Sequence, residues 1–199
     1  MTTVWTVRSI ASDDTSDPVL RPMPSEAARL LDVTGAPPRL VAHLRAVHDV
    51  AARLVDRVAR HCPRLPVDRE AVLFGAATHD IGKTLHPEEL SGPGTRHEEA
   101  GRALLLAHGV PAERARFAAT HASWAAPGVA VEDLLVSLAD KVWKNKRVAD
   151  LEDRVVAELA RAGGRPVWRE FLDLDEFLTA VGEGADLRLA WQAAHPVHG

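Results

Sequence analysis

The stretch that decides how this chain folds is Val72-Leu73-Phe74-Gly75-Ala76-Ala77-Thr78-His79-Asp80-Ile81-Gly82-Lys83. Asp68, just upstream, is a good N-cap for a helix that carries Val72, Leu73, Ala76 and Ala77 into His79-Asp80. Gly82 then marks the expected end of that helix. On such a helix Val72, Gly75 and Ala76 share the face of His79, while Leu73, Ala76 and Ala77 share that of Asp80. Both polar side chains end an apolar stripe and are expected to point inward. A buried carboxylate without a partner costs several kcal/mol. A metal ion is one compensation, because histidine with carboxylate is a common ligand set for divalent cations. A helix C-terminus at which Asp80 pairs with Lys83 is the other, and the dipeptide taken alone favours it.

Upstream, Pro37-Pro38 opens a long helix on which Leu40, Leu44, Val47, Ala51, Leu54 and Val58 recur at helical spacing, and Cys62-Pro63 closes it. Ser25 is placed to cap a short helix to about Asp32, ended by Gly35. Residues 1–24 read as an extended or partly ordered arm. Downstream of Lys83 comes a loop with Pro87 and Gly92-Pro93-Gly94. Thr95 and Glu98 then have capping-box spacing. Gly109 stops that helix, Pro111 starts another, and 125–128 form a turn. A strongly apolar helix is expected over 131–146, and two or three amphipathic helices over 148–194. Without strand alternation or internal repeat, the expected class is all-α, a helical bundle with extra C-terminal helices. Residues 25–199 form its single domain, with the metal-binding core at about 37–147.

Composition narrows the function. The chain has 199 residues, 46% of them apolar, enough for one domain with a real core. No run approaches the ~20 apolar residues that cross a bilayer, and MTTVWTVRSIASDD lacks the basic start of a signal peptide. The single cysteine, Cys62, allows no intrachain disulfide, so a cytoplasmic location is expected. A net charge of −4 argues against general nucleic-acid binding.

Other polar residues repeat the pattern of His79 and Asp80. His121 follows Phe117 and Ala118, and His97 stands above Gly101, Leu104 and Leu105. Asp140 interrupts Leu134-Leu135-Val136-Ser137-Leu138-Ala139, and a charge in such a run requires a partner. His43 precedes Val47 and Val50 on the first long helix. Each lies on a separate helix and offers an inward polar group, which is how bundles build metal sites.

The order His43, His79-Asp80, His97, His121, Asp140 resembles the H…HD…H…H…D pattern of the HD-domain superfamily of metal-dependent phosphohydrolases. Thr78-His79-Asp80-Ile81-Gly82-Lys83 looks like that family's central segment, the helix of His43 like its first-histidine helix, and Leu138-Ala139-Asp140-Lys141 like its closing segment. The resemblance covers about 25–147. It implies one metal on His43, His79, Asp80 and Asp140, and a second on Asp80, His97 and His121, with Asp80 bridging. It implies hydrolysis of a phosphomonoester or phosphodiester of a nucleotide or small metabolite. Two cations ~3.5–4 Å apart would bind a phosphate oxygen and acidify the attacking water. The ligand set suits Mn, Fe, Co, Ni or Zn. Lys83 either neutralises substrate phosphate as part of the catalytic machinery or merely ends a helix. Lys141, Lys144, Lys146 and Arg147 either border the pocket or solvate a helix end. Trp124 either walls the pocket or packs in the core, and specificity is expected in 84–96, 124–130 and the C-terminal helices.

Two other activities fit the same pattern. The superfamily also contains di-iron oxygenases, and a non-catalytic nucleotide-binding module is possible on the same bundle. Several near-motifs carry less. His48-Asp49 lies mid-helix without a following Gly and Lys, and reads as structural. His97-Glu98 lacks the second histidine of a zincin, since position 101 is Gly. Gly92-Pro93-Gly94 lacks the Lys-Ser/Thr of a P-loop. Cys62 shows no activating neighbour, and His195 with His198 is too sparse for a site.

Overall fold

Residues 6–12 and 17–197 are described by the computed structural model. They form α-helices and two short 3₁₀ turns, with no strand among the described residues. The helices are α1 (Val7–Ser12), α2 (Ser25–Val33), α3 (Pro38–His61), α4 (Arg69–Thr78), α5 (Arg96–Ala107), α6 (Ala112–Ala115), α7 (Phe117–Thr120), α8 (Val131–Val142), α9 (Ala149–Gly163), α10 (Val167–Gly182) and α11 (Ala185–Ala193). The all-α expectation holds. No described helix is long and apolar enough to cross a membrane.

The bundle is organised around α3. Pro38 starts it, where a missing N–H is harmless, and Cys62 caps it. Its apolar stripe packs on α4 and α8, while its other side is covered by α1 and α11. Two apolar clusters result. One joins Val47, Leu54 and Val72 to Leu135, Leu138 and the faces of α9 and α10. The other joins Leu40 and Leu44 to Leu30, Phe74, Ile81 and Leu105.

Burial on both sides of α3 forces polar groups inside. Arg45 is wholly buried, and its guanidinium donates to the carbonyls of Leu20 at 2.5 Å, Ile10 at 2.8 Å and Arg21 at 3.2 Å. This one side chain ties the first segment of the chain to the bundle. Within residues 1–24, Val7–Ser12 is therefore helical with Ile10 and Ala11 buried, and Leu20 and Met23 also enter the core.

Several boundaries differ from expectation. Ser25 is the first helical residue of α2 rather than its cap. The helix carrying Asp140 stops at Val142, because the chain turns through Asn145 in a left-handed conformation, φ 58°. Thr95 makes no side-chain cap to α5.

Candidate metal centre

Asp68 starts α4 as expected, its carboxylate accepting the Ala71 N–H at 2.9 Å. The helix ends at Thr78, and His79 is its C-cap. Ile81–Thr84 then form a 3₁₀ turn. Gly82 does not terminate α4. It lets α5 approach: a Cβ there would lie 2.0 Å from the His97 carbonyl oxygen and 2.6 Å from the Gly101 nitrogen. The glycine of the central segment thus brings His97 to Asp80.

The start of α5 depends on a residue that sequence reasoning passed over. Glu89 accepts the backbone N–H groups of Arg96 and His97, both at 3.1 Å, so it does the capping expected of Thr95 and Glu98. Its Oε2 also accepts from His97 Nδ1 at 2.5 Å. Burial alone would raise the Glu89 pKa, but the His97 side chain and the two backbone donors hold it below the ordinary value. Nothing in Pro87-Glu88-Glu89-Leu90 separates Glu89 from Glu88; only the fold does.

All six expected ligands are buried and converge. Asp80 lies between two histidine pairs. Its Oδ2 is 3.2 Å from His43 Nε2 and 3.7 Å from His79 Nε2. Its Oδ1 is 3.1 Å from His97 Nε2 and 3.5 Å from His121 Nε2. Asp140 Oδ1 is 3.5 Å from His79 Nε2 and 3.8 Å from His43 Nε2. Ligand atoms on one cation, with bonds of ~2.1 Å at right angles, lie roughly 3 Å apart. Two groups have all their donor atoms within 4.8 Å of one another: His43, His79 and Asp140, and His79, Asp80 and His121. His97 joins through Asp80 rather than within either group.

Hydrogen bonds set the ring orientations. His79 Nδ1 donates to the Ala76 carbonyl and His121 Nδ1 to the Ala118 carbonyl, each at 3.0 Å. With His97 Nδ1 on Glu89, three rings present Nε2 lone pairs inward. Burial lowers the pKa of His43, and burial followed by His79 lowers that of His121 to about 4, so both are neutral near pH 7. For His97, burial works downward but Asp80 and Glu89 on its two sides raise it. Burial would raise Asp80 and Asp140 as well, yet the neighbouring histidines hold both well below the usual carboxylate range.

This arrangement fits a cation. Inward lone pairs face ionised carboxylates, and His97 Nε2 is buried without a hydrogen-bond partner. Two lysines supply some positive charge: Lys83 Nζ donates to Asp80 Oδ2 and Lys141 Nζ to Asp140 Oδ2, each at 2.6 Å. The Asp80–Lys83 pairing is therefore real, but it leaves His97 Nε2 unserved, while His43 Nε2 and His79 Nε2 have only each other at 3.4 Å besides the carboxylates.

Above His43 and Asp80 opens a cleft of about 240 Å³, lined by Arg39, Lys83, Leu90, Trp143, Lys144, Leu189 and Gln192 besides those two. Trp143, at the end of α8, packs edge-on against His43 with centroids 5.0 Å apart. Sequence reasoning singled out Trp124, which instead packs on the larger apolar cluster and does not line the cleft. The 124–130 turn does not line it either. Lys144 borders it, whereas Arg147 is tied to Glu152 and Asp175. His48 and Asp49 are buried away from the cluster, with Asp49 accepting the Arg21 N–H at 3.2 Å. Cys62 is buried against the Leu159 carbonyl. His195 Nδ1 donates to the Trp191 carbonyl at 2.9 Å, and His198 lies outside the described residues.

Fold and site together define an all-α bundle with a buried His/Asp cluster suited to divalent metal. A family model for the HD domain matches residues 40–159, and the chain belongs to that family of metal-dependent hydrolases. Comparison with curated proteins and with solved structures gives no match.

Proposed function

We propose that this protein is a metal-dependent phosphohydrolase that cleaves a phosphomonoester or phosphodiester of a nucleotide or small metabolite. The observation that carries this reading is the division of the Asp80 carboxylate, one oxygen toward His43 and His79 and the other toward His97 and His121. His43, His79, Asp80 and Asp140 would hold one cation, and Asp80, His97 and His121 a second. Divalent cations held there supply Lewis-acid polarisation of a phosphoryl oxygen and acidification of a water. The chain's own residues bind and orient. Lys83 and Lys144 border the cleft beside the cluster and draw a phosphoryl group to its floor. Trp143 covers His43 and limits water at that side.

The test is a screen of protein loaded with Mn, Fe, Co, Ni or Zn against nucleotides and generic phosphoesters. Turnover is expected with wild type, and Asp80→Ala should abolish it and lower the content of both metals. Wild-type metal content in Asp80→Ala would refute the bridge. Oxygen consumption by an iron-loaded protein that leaves every phosphoester intact would replace hydrolysis with oxidation.

A further inference from the structure

The last helix, α11, lies beyond the matched family region, yet it closes the cleft. Two arginines clamp it there. Arg188 on α11 is buried, and its guanidinium donates to the Trp143 carbonyl and the Val181 carbonyl, both at 2.7 Å. Arg39, one turn before His43 on α3, donates to the Ala193 carbonyl at 2.8 Å and the His195 carbonyl at 2.9 Å. The Arg39 backbone N–H also reaches the Pro196 carbonyl at 3.0 Å. One clamp holds the end of α8, which carries Asp140. The other holds the start of α3, which carries His43.

Leu189 and Gln192 lie between the clamps, three residues apart and so on one helix face, and both line the cleft. The cleft floor is cationic and acidic, through Lys83, Lys144 and Asp80. Among the described lining residues Gln192 supplies an amide, which carries both a donor and an acceptor. Leu189, Leu90 and Trp143 supply apolar surface nearby. A volume of about 240 Å³ is below the ~300–1,000 Å³ of sites for drug-sized ligands. It encloses a phosphate and the group next to it, not an extended chain.

We infer that α11 is the substrate-reading wall of this site, and that it selects a phosphomonoester whose phosphate is attached to a hydroxylated ring. Gln192 pairs with a ring hydroxyl while Leu189 packs on the ring face. The inference rests on the phosphohydrolase reading for its phosphate end. Sugar phosphates and nucleoside monophosphates share this chemistry.

The experiment uses the full metal-loaded chain and its Gln192→Leu and Leu189→Ala variants. Binding by calorimetry and turnover are measured separately, with inorganic phosphate, a simple alkyl phosphate, sugar phosphates and nucleoside monophosphates as probes. Wild type should prefer one ring-bearing class over alkyl phosphate. Gln192→Leu should weaken that ester by roughly 3- to 10-fold, the worth of one neutral hydrogen bond, with inorganic phosphate affinity and metal content unchanged. Leu189→Ala should raise KM more than it lowers kcat. Equal weakening of phosphate and ester, or no preference for ring-bearing esters, overturns the inference. Selective binding without turnover leaves the wall in place and removes the hydrolase reading. Turnover without ring preference does the reverse.

Discussion

Replacing Gly82 with alanine tests whether one backbone contact assembles half of the metal centre. The new Cβ would lie 2.0 Å from the His97 carbonyl oxygen, whereas real Cβ contacts essentially never fall under 3.0 Å. Both partners are backbone, so no side chain can turn aside. The start of α5 must retreat by about 1 Å or more. His97 Nε2, now 3.1 Å from Asp80 Oδ1, then moves beyond about 4 Å. His43, His79 and Asp140 sit on other elements and stay in place. Overpacking of this kind costs ~1–3 kcal/mol, offset by ~0.4–1 kcal/mol from a stiffer unfolded chain. The net cost is thus up to ~2.6 kcal/mol, and with about 2–4 °C per kcal/mol for a chain of this size the melting temperature of metal-stripped protein should fall by up to roughly 10 °C. Calorimetry reads that fall, and metal analysis should show the second cation lost in preference to the first. Gly101→Ala is the control. Its Cβ would lie 3.0 Å from the Gly82 nitrogen and 3.2 Å from the Ala118 Cβ, and the helix gains up to ~1 kcal/mol from alanine. That variant should melt close to wild type. A Gly82→Ala protein with unchanged melting and both metals bound would refute the argument.

Glu89→Gln keeps a cap oxygen for α5 but removes the charge that faces His97 Nδ1. Affinity for the second metal should drop ~10–100-fold, and stripped protein should also melt lower, because one amide oxygen cannot serve the Arg96 N–H, the His97 N–H and His97 Nδ1 together; a drop in melting with unchanged metal affinity would make Glu89 a cap only. His48 gives a pH signature away from the metal centre. Burial, then Arg21, Arg45 and Arg69, depress its pKa from 6.5 to about 4. The unfolded chain therefore takes up a proton that the folded one refuses. Stability is full above about pH 6.5 and is lost as pH falls toward 4, by about 3 kcal/mol in all. Urea unfolding of wild type and His48→Gln at pH 7 and 4.5 isolates this contribution, and equal pH slopes for the two proteins would count against it.

How much of this was legible in the sequence depends on whether the signal was local. The cap at Asp68, the proline start of α3 and the apolar stripe leading to His79 are properties of neighbouring residues, and the structure places them as expected. The six converging residues were also legible, because each is a polar group on or just past an apolar helical stretch, although His79 and His121 cap their helices and Asp80 lies beyond α4. Glu89 was not, since its partners are the first N–H groups of a helix that arrives later in the chain. Gly82 was misread for a related reason. A helix stop and a close approach both ask for glycine, and only the position of α5 separates them. The choice of Trp143 over Trp124 turned on where α8 ends, and that depended on the turn at Asn145. The wall formed by α11 carries no motif at all. It is defined by carbonyl groups that Arg39 and Arg188 hold, and backbone acceptors leave no trace in composition.

The two lysines sharpen what the centre requires. By charge alone, Lys83 and Lys141 already balance Asp80 and Asp140, so net charge does not demand a metal. Direction does. Each ammonium sits on an Oδ2 atom, while the Oδ1 atoms face histidine nitrogens whose rings are pinned through Nδ1. An ammonium has donors but only one site to stand on, and neither lysine donates to a ring nitrogen in this arrangement. A cation among the nitrogens would satisfy several lone pairs at once and would compete with Lys83 for Asp80. Lys83, whose side chain is 19% exposed at the cleft, would then be free to turn its charge toward an incoming phosphate. The residue that makes Asp80 look like an ordinary ion pair is thus the one best placed to hand its charge to the substrate.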